Sequence, residues 1–278
     1  VAHFFTVDVE EHFQVSAFEG VAPRATWGSH PSRVVANTGV LLELLARHQV
    51  RGTFFVLGWV AERQPALIRR IASAGHELAS HGWWHLRVNT IDRDAFREEI
   101  SRSKRLIEDL SGTLVDGYRA PSFSLTPGTE WAFEVLGEEG YRYDSSIFPI
   151  RRAGYGYPGA PRDPYSVAHN GGSLVELPMA TWAVGPWRIP AAGGGYLRHF
   201  PEAVIHSAFR QADRRGQPGM FYIHPWEVDP EQPRLPVDPL TAVRHYRGLD
   251  RTIERLERLL TRFRFTSVRA WLERQGSQ

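Results

Sequence analysis

The chain of 278 residues contains no cysteine. That excludes a disulfide scaffold, a thiolate zinc site, an iron–sulfur cluster and a cysteine nucleophile together. Lysine is nearly absent too: Lys104 is the only one, and every other basic residue is arginine. With 33 basic against 31 acidic residues, the formal charge is +2, and no basic run or stripe suits nucleic-acid binding. No apolar run approaches the roughly 20 residues needed to cross a bilayer, so no transmembrane segment is expected. The longest, residues 40–46, is broken by Glu43. No signal peptide is visible, because residues 1–8 read directly as a strand. That points to the cytoplasm, although the chain opens on Val1 rather than Met. What is present is ordinary for a globular protein: 42% hydrophobic and 23% charged residues. The aromatic set, 9 Trp, 9 Tyr and 15 Phe, suits a core and also suits carbohydrate binding.

Strand-like and helix-like segments alternate. Strands are expected at residues 3–7, 52–56, 77–80, 113–118, 141–143, 173–178 and 220–224. Helices are expected at 32–48, 64–74, 92–110, 127–136 (stopping before Gly137), 201–214 and, as one long element, 239–263. This alternation predicts a parallel sheet covered by helices, open or closed into a barrel. Two Gly/Pro-rich stretches, 151–165 and 185–196, interrupt the second half. They are read as loop insertions that could form a substrate lip on a single domain spanning 1–278.

The polar clusters fall at strand ends, where sites gather in parallel α/β folds. Asp8, Glu10 and Glu11 follow the first strand, and three adjacent carboxylates are costly without a cation. His81 and His85 follow the third; on one helical turn an i, i+4 pair presents both rings to one face and can converge on a metal. Arg119-Ala120-Pro121-Ser122 leaves the fourth strand, and Arg119 can clasp a carboxylate in two-pronged fashion. Asp144 and His224 end two later strands. Trp83 and Trp84 are readable as walls of a metal site or as core.

As a set, these residues resemble the polysaccharide deacetylase family, the NodB-homology or carbohydrate esterase family 4 fold. Asp8-Val9-Glu10 is similar to its first motif, His81…His85 to its His-x-x-x-His motif and Arg119-Ala120-Pro121-Ser122 to its Arg-x-Pro motif. Asp144 and His224 resemble its last motif residues. The runs 8–18, 53–60 and 224–234 are similar to the exopolysaccharide subgroup associated with the exosortase/PEP-CTERM system. The resemblance implies an α/β fold, a distorted (β/α) barrel of about seven parallel strands. It also implies one divalent metal on Glu10, His81 and His85. Zn²⁺ suits two histidines and a carboxylate, with Fe, Co, Ni or Mn as alternatives. Val9 stands where many members carry a second aspartate, so the carboxylate comes from Glu10 or Glu11. Residues i and i+2 of an extended segment share a face, which selects Glu10 beside Asp8.

The implied activity is removal of N-acetyl groups from N-acetylhexosamine units of an exopolysaccharide. Asp8 would be the base, positioned by Arg119, and His224 the acid, oriented by Asp144. A backbone N–H near Ser122 would face the oxyanion. Ser122, Trp182, Gly194 and Tyr196 are the candidates for substrate contact, with Trp187, Tyr155 and Tyr157 as further stacking surfaces. An O-acetyl esterase, a cyclic-amide hydrolase and a non-catalytic glycan-binding module are the competing readings. The implied partner is an acetylated glycan.

Overall fold

The computed structural model describes residues 1–152 and 154–276. The strands are β1 (His3–Val9), β2 (Thr53–Val56), β3 (Glu77–Ser80), β4 (Gly117–Tyr118), β5 (Tyr143–Asp144), β6 (Tyr165–His169), β7 (Gly172–Glu176), β8 (Thr181–Val184), β9 (Trp187–Pro190), β10 (Met220–Ile223) and β11 (Phe265–Thr266). The α-helices are α1 (Val34–Arg47), α2 (Gly58–Arg63), α3 (Pro65–Ser73), α4 (Arg93–Ser111), α5 (Trp131–Glu138), α6 (Gly194–His199), α7 (Glu202–Arg214), α8 (Pro239–Tyr246), α9 (Thr252–Arg262) and α10 (Val268–Gly276).

The main sheet runs β10-β1-β2-β3-β4-β5-β7-β6, and every pairing from β10 to β7 is parallel. Just past β7, Met179 bridges in parallel to Met220 of β10. Seven parallel strands thus come round on themselves as an irregular barrel, with β6 added antiparallel outside β7. β11 pairs with the first residues of β1, ahead of the point where β2 joins. Strands β1 to β5 are fully buried, with apolar runs such as Thr-Phe-Phe-Val in β2, as expected for strands covered on both faces, whereas β6 at the edge is half exposed.

Four local outcomes differ from the sequence reading. The stretch 239–263 is two helices, α8 and α9, because Gly248 turns the chain at φ +77° between them. The stretch 185–196 is not a loop insertion: it supplies β9, which pairs with β8 as a hairpin, and the start of α6. Helix α5 runs on through Gly137 to Glu138. The fourth strand shrinks to Gly117–Tyr118, both paired with β5 and Tyr118 also with β3. The stretch 151–165 leads as an irregular segment into β6, and within it Ala153 lies outside the described residues.

β4 packs closely against β5 at Gly117. A Cβ on Gly117 would lie 1.9 Å from Cζ of Tyr143. That ring is fully buried, and its hydroxyl donates to Glu77 Oε1 at 2.8 Å. Gly117→Ala is therefore expected to lower unfolding stability by about 3 kcal/mol, the upper range for overpacking in a rigid core. The urea midpoint at unchanged m-value reads this; a midpoint within error of the parent would mean that Tyr143 can move.

Candidate active site

The site lies at the carboxyl ends of the parallel strands. β1 alternates, so Thr6, Asp8 and Glu10 share a face while Val7 and Val9 pack in the core. Glu11 points elsewhere. Its carboxylate accepts from the N–H groups of Arg33 (2.9 Å) and Val34 (3.2 Å) and from Ser32 Oγ, so it caps the start of α1.

His81 follows β3 directly. The chain then turns through Gly82 (φ +75°) to His85 (φ +53°) without forming a helix. The two rings converge, with centroids 5.5 Å apart, through this tight turn and not through the helical spacing expected. Glu99 on α4 holds the turn by accepting from the N–H of Trp83 (2.9 Å) and Trp84 (2.8 Å). Arg24 donates to the carbonyls of Trp84 (2.7 Å) and His85 (3.0 Å). Trp83 is buried with Arg102 stacked on it at 3.4 Å, and neither Trp83 nor Trp84 lines the cavity over the histidines.

Ligand atoms of Glu10, His81 and His85 all lie within 4.8 Å of one another, and all three residues are buried. The donor set fits a divalent cation. Nδ1 of His81 faces the carbonyl of Arg119 at 2.8 Å, which fixes a proton there and leaves the Nε2 lone pair for a ligand. Glu10 Oε2 is a buried acceptor without a hydrogen-bond partner. Burial holds both imidazoles toward their neutral form: His81 is lowered, and His85 is lowered to about 4 against the opposing pull of Glu10. Burial alone would raise Glu10, but His85, His224 and His81 outweigh it and bring it to about 2. A deprotonated carboxylate and two neutral imidazoles are what a metal requires.

Two polar pairs flank this group. On one side Arg119, fully buried, donates from Nη1 to Asp8 Oδ1 (2.5 Å) and Thr6 Oγ1 (2.8 Å). Its other donors reach the carbonyl (3.1 Å) and Oγ (3.0 Å) of Ser145, and Phe55 lies under the guanidinium at 4.0 Å. On the other side His224, ending β10, sets Nε2 3.0 Å from Glu10 Oε1 and Nδ1 2.8 Å from Glu227 Oε1. Glu227 is in turn paired with buried Arg198 at 2.9 Å. Burial pulls the His224 pKa down, but Glu10 and Glu227 outweigh it and push it up to about 10. The imidazole stacks on Trp226 at 4.9 Å.

Asp144 does not orient His224; Glu227 holds that place. The tight turn after β10 brings the i+3 carboxylate under Nδ1, whereas Asp144 accepts from Ser146 Oγ (2.6 Å) and N–H (3.1 Å). Asp144 lies opposite Glu176 across β5 and β7, and burial raises both carboxyls. Ser146 Oγ also receives the N–H of Ala120 at 2.7 Å, so Asp144 supports the segment that carries Arg119. The sequence reading missed Glu227 and Arg198. The i, i+3 spacing of His224 and Glu227 around Pro225 was the available signal.

The cavity over the group holds about 350 Å³ and is lined by Asp8, Glu10, His81, His85, Ser122 and His224, among others. Ser122 sits in the left-handed region (φ +55°), its Oγ 2.7 Å from Ser16 Oγ. Tyr196 lies in the adjoining groove, bonded through its hydroxyl to Tyr155 at 2.8 Å. Gly194 is buried, and a Cβ there would meet Glu227 Oε1 at 2.4 Å, so its bare Cα makes room for Glu227. Trp182 lies on the β8–β9 hairpin, outside the lining of both spaces. Trp187 and Tyr157 are likewise outside them; Tyr157 donates to Glu130 at 2.5 Å.

Residues 26–142 match the family model described as polysaccharide deacetylase, and residues 145–273 match a domain of unknown function (DUF3473). The chain carries a polysaccharide deacetylase domain. The second matched segment is no appendage to it: β7 pairs with β5, β10 pairs with β1, and the segment delivers His224, Glu227 and Arg198 to the same site. A peptidoglycan-N-acetylglucosamine deacetylase of Bacillus cereus is 31% identical over 98 residues, 35% of this chain and 36% of that protein. A chitooligosaccharide deacetylase of Rhizobium leguminosarum bv. trifolii is 40% identical over 70 residues, 25% of this chain and 33% of that protein. These alignments therefore span about a third of the relatives' own length. A solved Mycobacterium smegmatis structure, proposed to be a polysaccharide deacetylase, is similar over 100% of this chain and 90% of its own. Its TM-score of 0.65 at 23% identity is a likeness of fold.

Proposed function

We propose that the protein is a metal-dependent hydrolase that removes N-acetyl groups from N-acetylhexosamine units of an exopolysaccharide. The observation that carries this is a buried carboxylate and two imidazoles converging between an Asp–Arg pair and a His–Glu pair in one cavity. The relatives named for deacetylation of N-acetylglucosamine and chitooligosaccharide support the reaction. The resemblance of residues 8–18 and 224–234 to the exosortase-associated subgroup supports the exopolysaccharide.

Glu10, His81 and His85 would hold the metal, zinc being the best match to this donor set. When bound, such an ion brings the pKa of a water toward ~7 and polarises an acyl carbonyl. Asp8 takes the proton of the attacking water, its carboxylate held in place by Arg119. Backbone N–H near Ser122 faces the oxygen that gains charge. The C–N bond then breaks as His224 gives its Nε2 proton to the departing amine, yielding acetate and a free amino sugar. An amine is a poor leaving group, which gives the acid its weight. Glu227 fixes the ring through Nδ1 and favours its charged form.

The first test is metal content by plasma mass spectrometry, beside His81→Ala and His85→Ala. About one divalent ion per chain is expected, lost in both variants while each still melts cooperatively. A wild-type chain that stays metal-free after zinc is supplied ends this proposal and leaves a glycan-binding module. Substrates carrying N-acetyl, O-acetyl or cyclic-amide groups then separate the hydrolytic alternatives.

A further inference from the structure

The cavity over the three ligands opens into a second depression of about 550 Å³, and the two share Tyr155, Tyr222, His224 and Trp226. A polymer with its reacting unit over Glu10 can therefore continue along this groove. One side is aromatic: Tyr155 and Tyr196 are joined by their hydroxyls, and Phe200 packs on Tyr196 at 5.6 Å. Half-buried rings with polar tips suit sugar faces.

The charge of the groove is one-sided. Arg152 and Arg244 line it and are exposed, and neither has a carboxylate within ion-pair distance among the described residues. Among the described residues Glu227 is the one carboxylate in the lining, and it is buried between Arg198 and His224. Exposed arginines outside the groove are of both kinds: Arg97 holds Glu138 and Glu139 and Arg258 holds Glu202 and Glu254, whereas Arg69, Arg105 and Arg234 have no carboxylate within ion-pair distance among the described residues. In the lining of the adjoining cavity, Arg87 is paired with Glu19 at 3.2 Å. What sets the groove apart is that two such arginines, Arg152 and Arg244, line one depression with no exposed carboxylate beside them in its lining among the described residues.

We propose that this groove binds a sugar carrying a carboxylate, next to the N-acetylated unit. The substrate would then be an acidic polysaccharide in which uronate and N-acetylhexosamine are neighbours. This rests on the deacetylase reading of the adjoining cavity. Guanidinium matches carboxylate in shape and charge, and two exposed contacts of ordinary strength together supply about tenfold in affinity.

The test compares two hexasaccharides, one alternating glucuronate with N-acetylglucosamine and one of N-acetylglucosamine alone. At low salt the wild type should favour the acidic one in kcat/KM by about tenfold. Arg152→Gln with Arg244→Gln should bring that ratio close to one, and 0.5 M NaCl should compress it in the wild type. An equal ratio in the wild type, or one that the double variant leaves unchanged, overturns the proposal. Titration calorimetry reads the groove without turnover. If neither sugar is deacetylated, the deacetylase reading fails. A preference for the acidic sugar in binding, lost in the double variant, would still establish the anionic groove, and equal affinities would remove it.

Discussion

Asp8→Asn is expected to lower kcat on an N-acetylated substrate by about 10²–10⁴-fold, the usual contribution of a placed general base. Asparagine keeps an oxygen that can accept from Arg119 Nη1, so the 2.5 Å contact can survive the change. It cannot accept the proton of water. Asp8 is outside the three-residue ligand group, so the variant should still bind about one metal per chain. Keeping metal while losing turnover separates a base from a ligand. Loss of the ion in Asp8→Asn would make Asp8 a ligand, and retention of more than a tenth of wild-type kcat would remove it from proton transfer.

The same substitution carries a stability cost that must be kept apart from the catalytic one. Arg119 is fully buried, and Asp8 is its carboxylate partner. Without that negative charge the guanidinium keeps only neutral acceptors, Thr6 Oγ1 and the carbonyl and Oγ of Ser145. Breaking a buried pair from one side typically costs about 3–5 kcal/mol. Kinetics should therefore be read well below the variant's melting temperature, beside a melting curve of the same preparation.

Much of this site was legible in the sequence, because a parallel barrel gathers the carboxyl ends of its strands. A polar cluster after each apolar run is then enough to bring residue 8 near residues 81, 119 and 224. The choice of Glu10 over Glu11 followed from strand alternation, and the structure sets Glu10 in the cavity and Glu11 on the N-terminus of α1. Geometry set by turns was not legible. His81 and His85 meet through residues at positive φ, where a helix was the natural reading of their spacing. Glu227 reaches His224 because a short turn starting at Pro225 folds the chain back, while Asp144, also at a strand end, turns onto Ser146. The β8–β9 hairpin was hidden by its Gly and Pro content, and Trp182 went with it.

The second large effect is on stability against acid. His76 and His3 are buried, and each uses Nδ1 to accept a backbone N–H, from Gly52 and from Gly219, both at 3.0 Å. A proton on either Nδ1 would break the bond and leave a charge in the core. Burial lowers both from 6.5 to about 4; Arg51 adds to this at His76, while Asp213 opposes it at His3. The unfolded chain takes up these protons near pH 6.5 and the folded chain only near 4, so the folded state binds fewer protons in between. Their contribution is complete above about pH 6.5 and is lost as pH falls toward 4. At pH 5 each has lost about 2 kcal/mol, or about 4 kcal/mol together, a large share of a typical total of about 5–15 kcal/mol. Burial moves His12 and His245 the same way, to about 4 and about 3, and deepens the loss. Urea melts at pH 7.5, 6 and 5 on the wild type and His76→Asn check this. Asparagine offers Gly52 an acceptor that does not titrate in this range. The variant should start less stable at pH 7.5 because the ring is gone, yet lose about 2 kcal/mol less than the wild type between pH 7.5 and 5. Parallel pH profiles for the two proteins would mean that His76 is not held neutral.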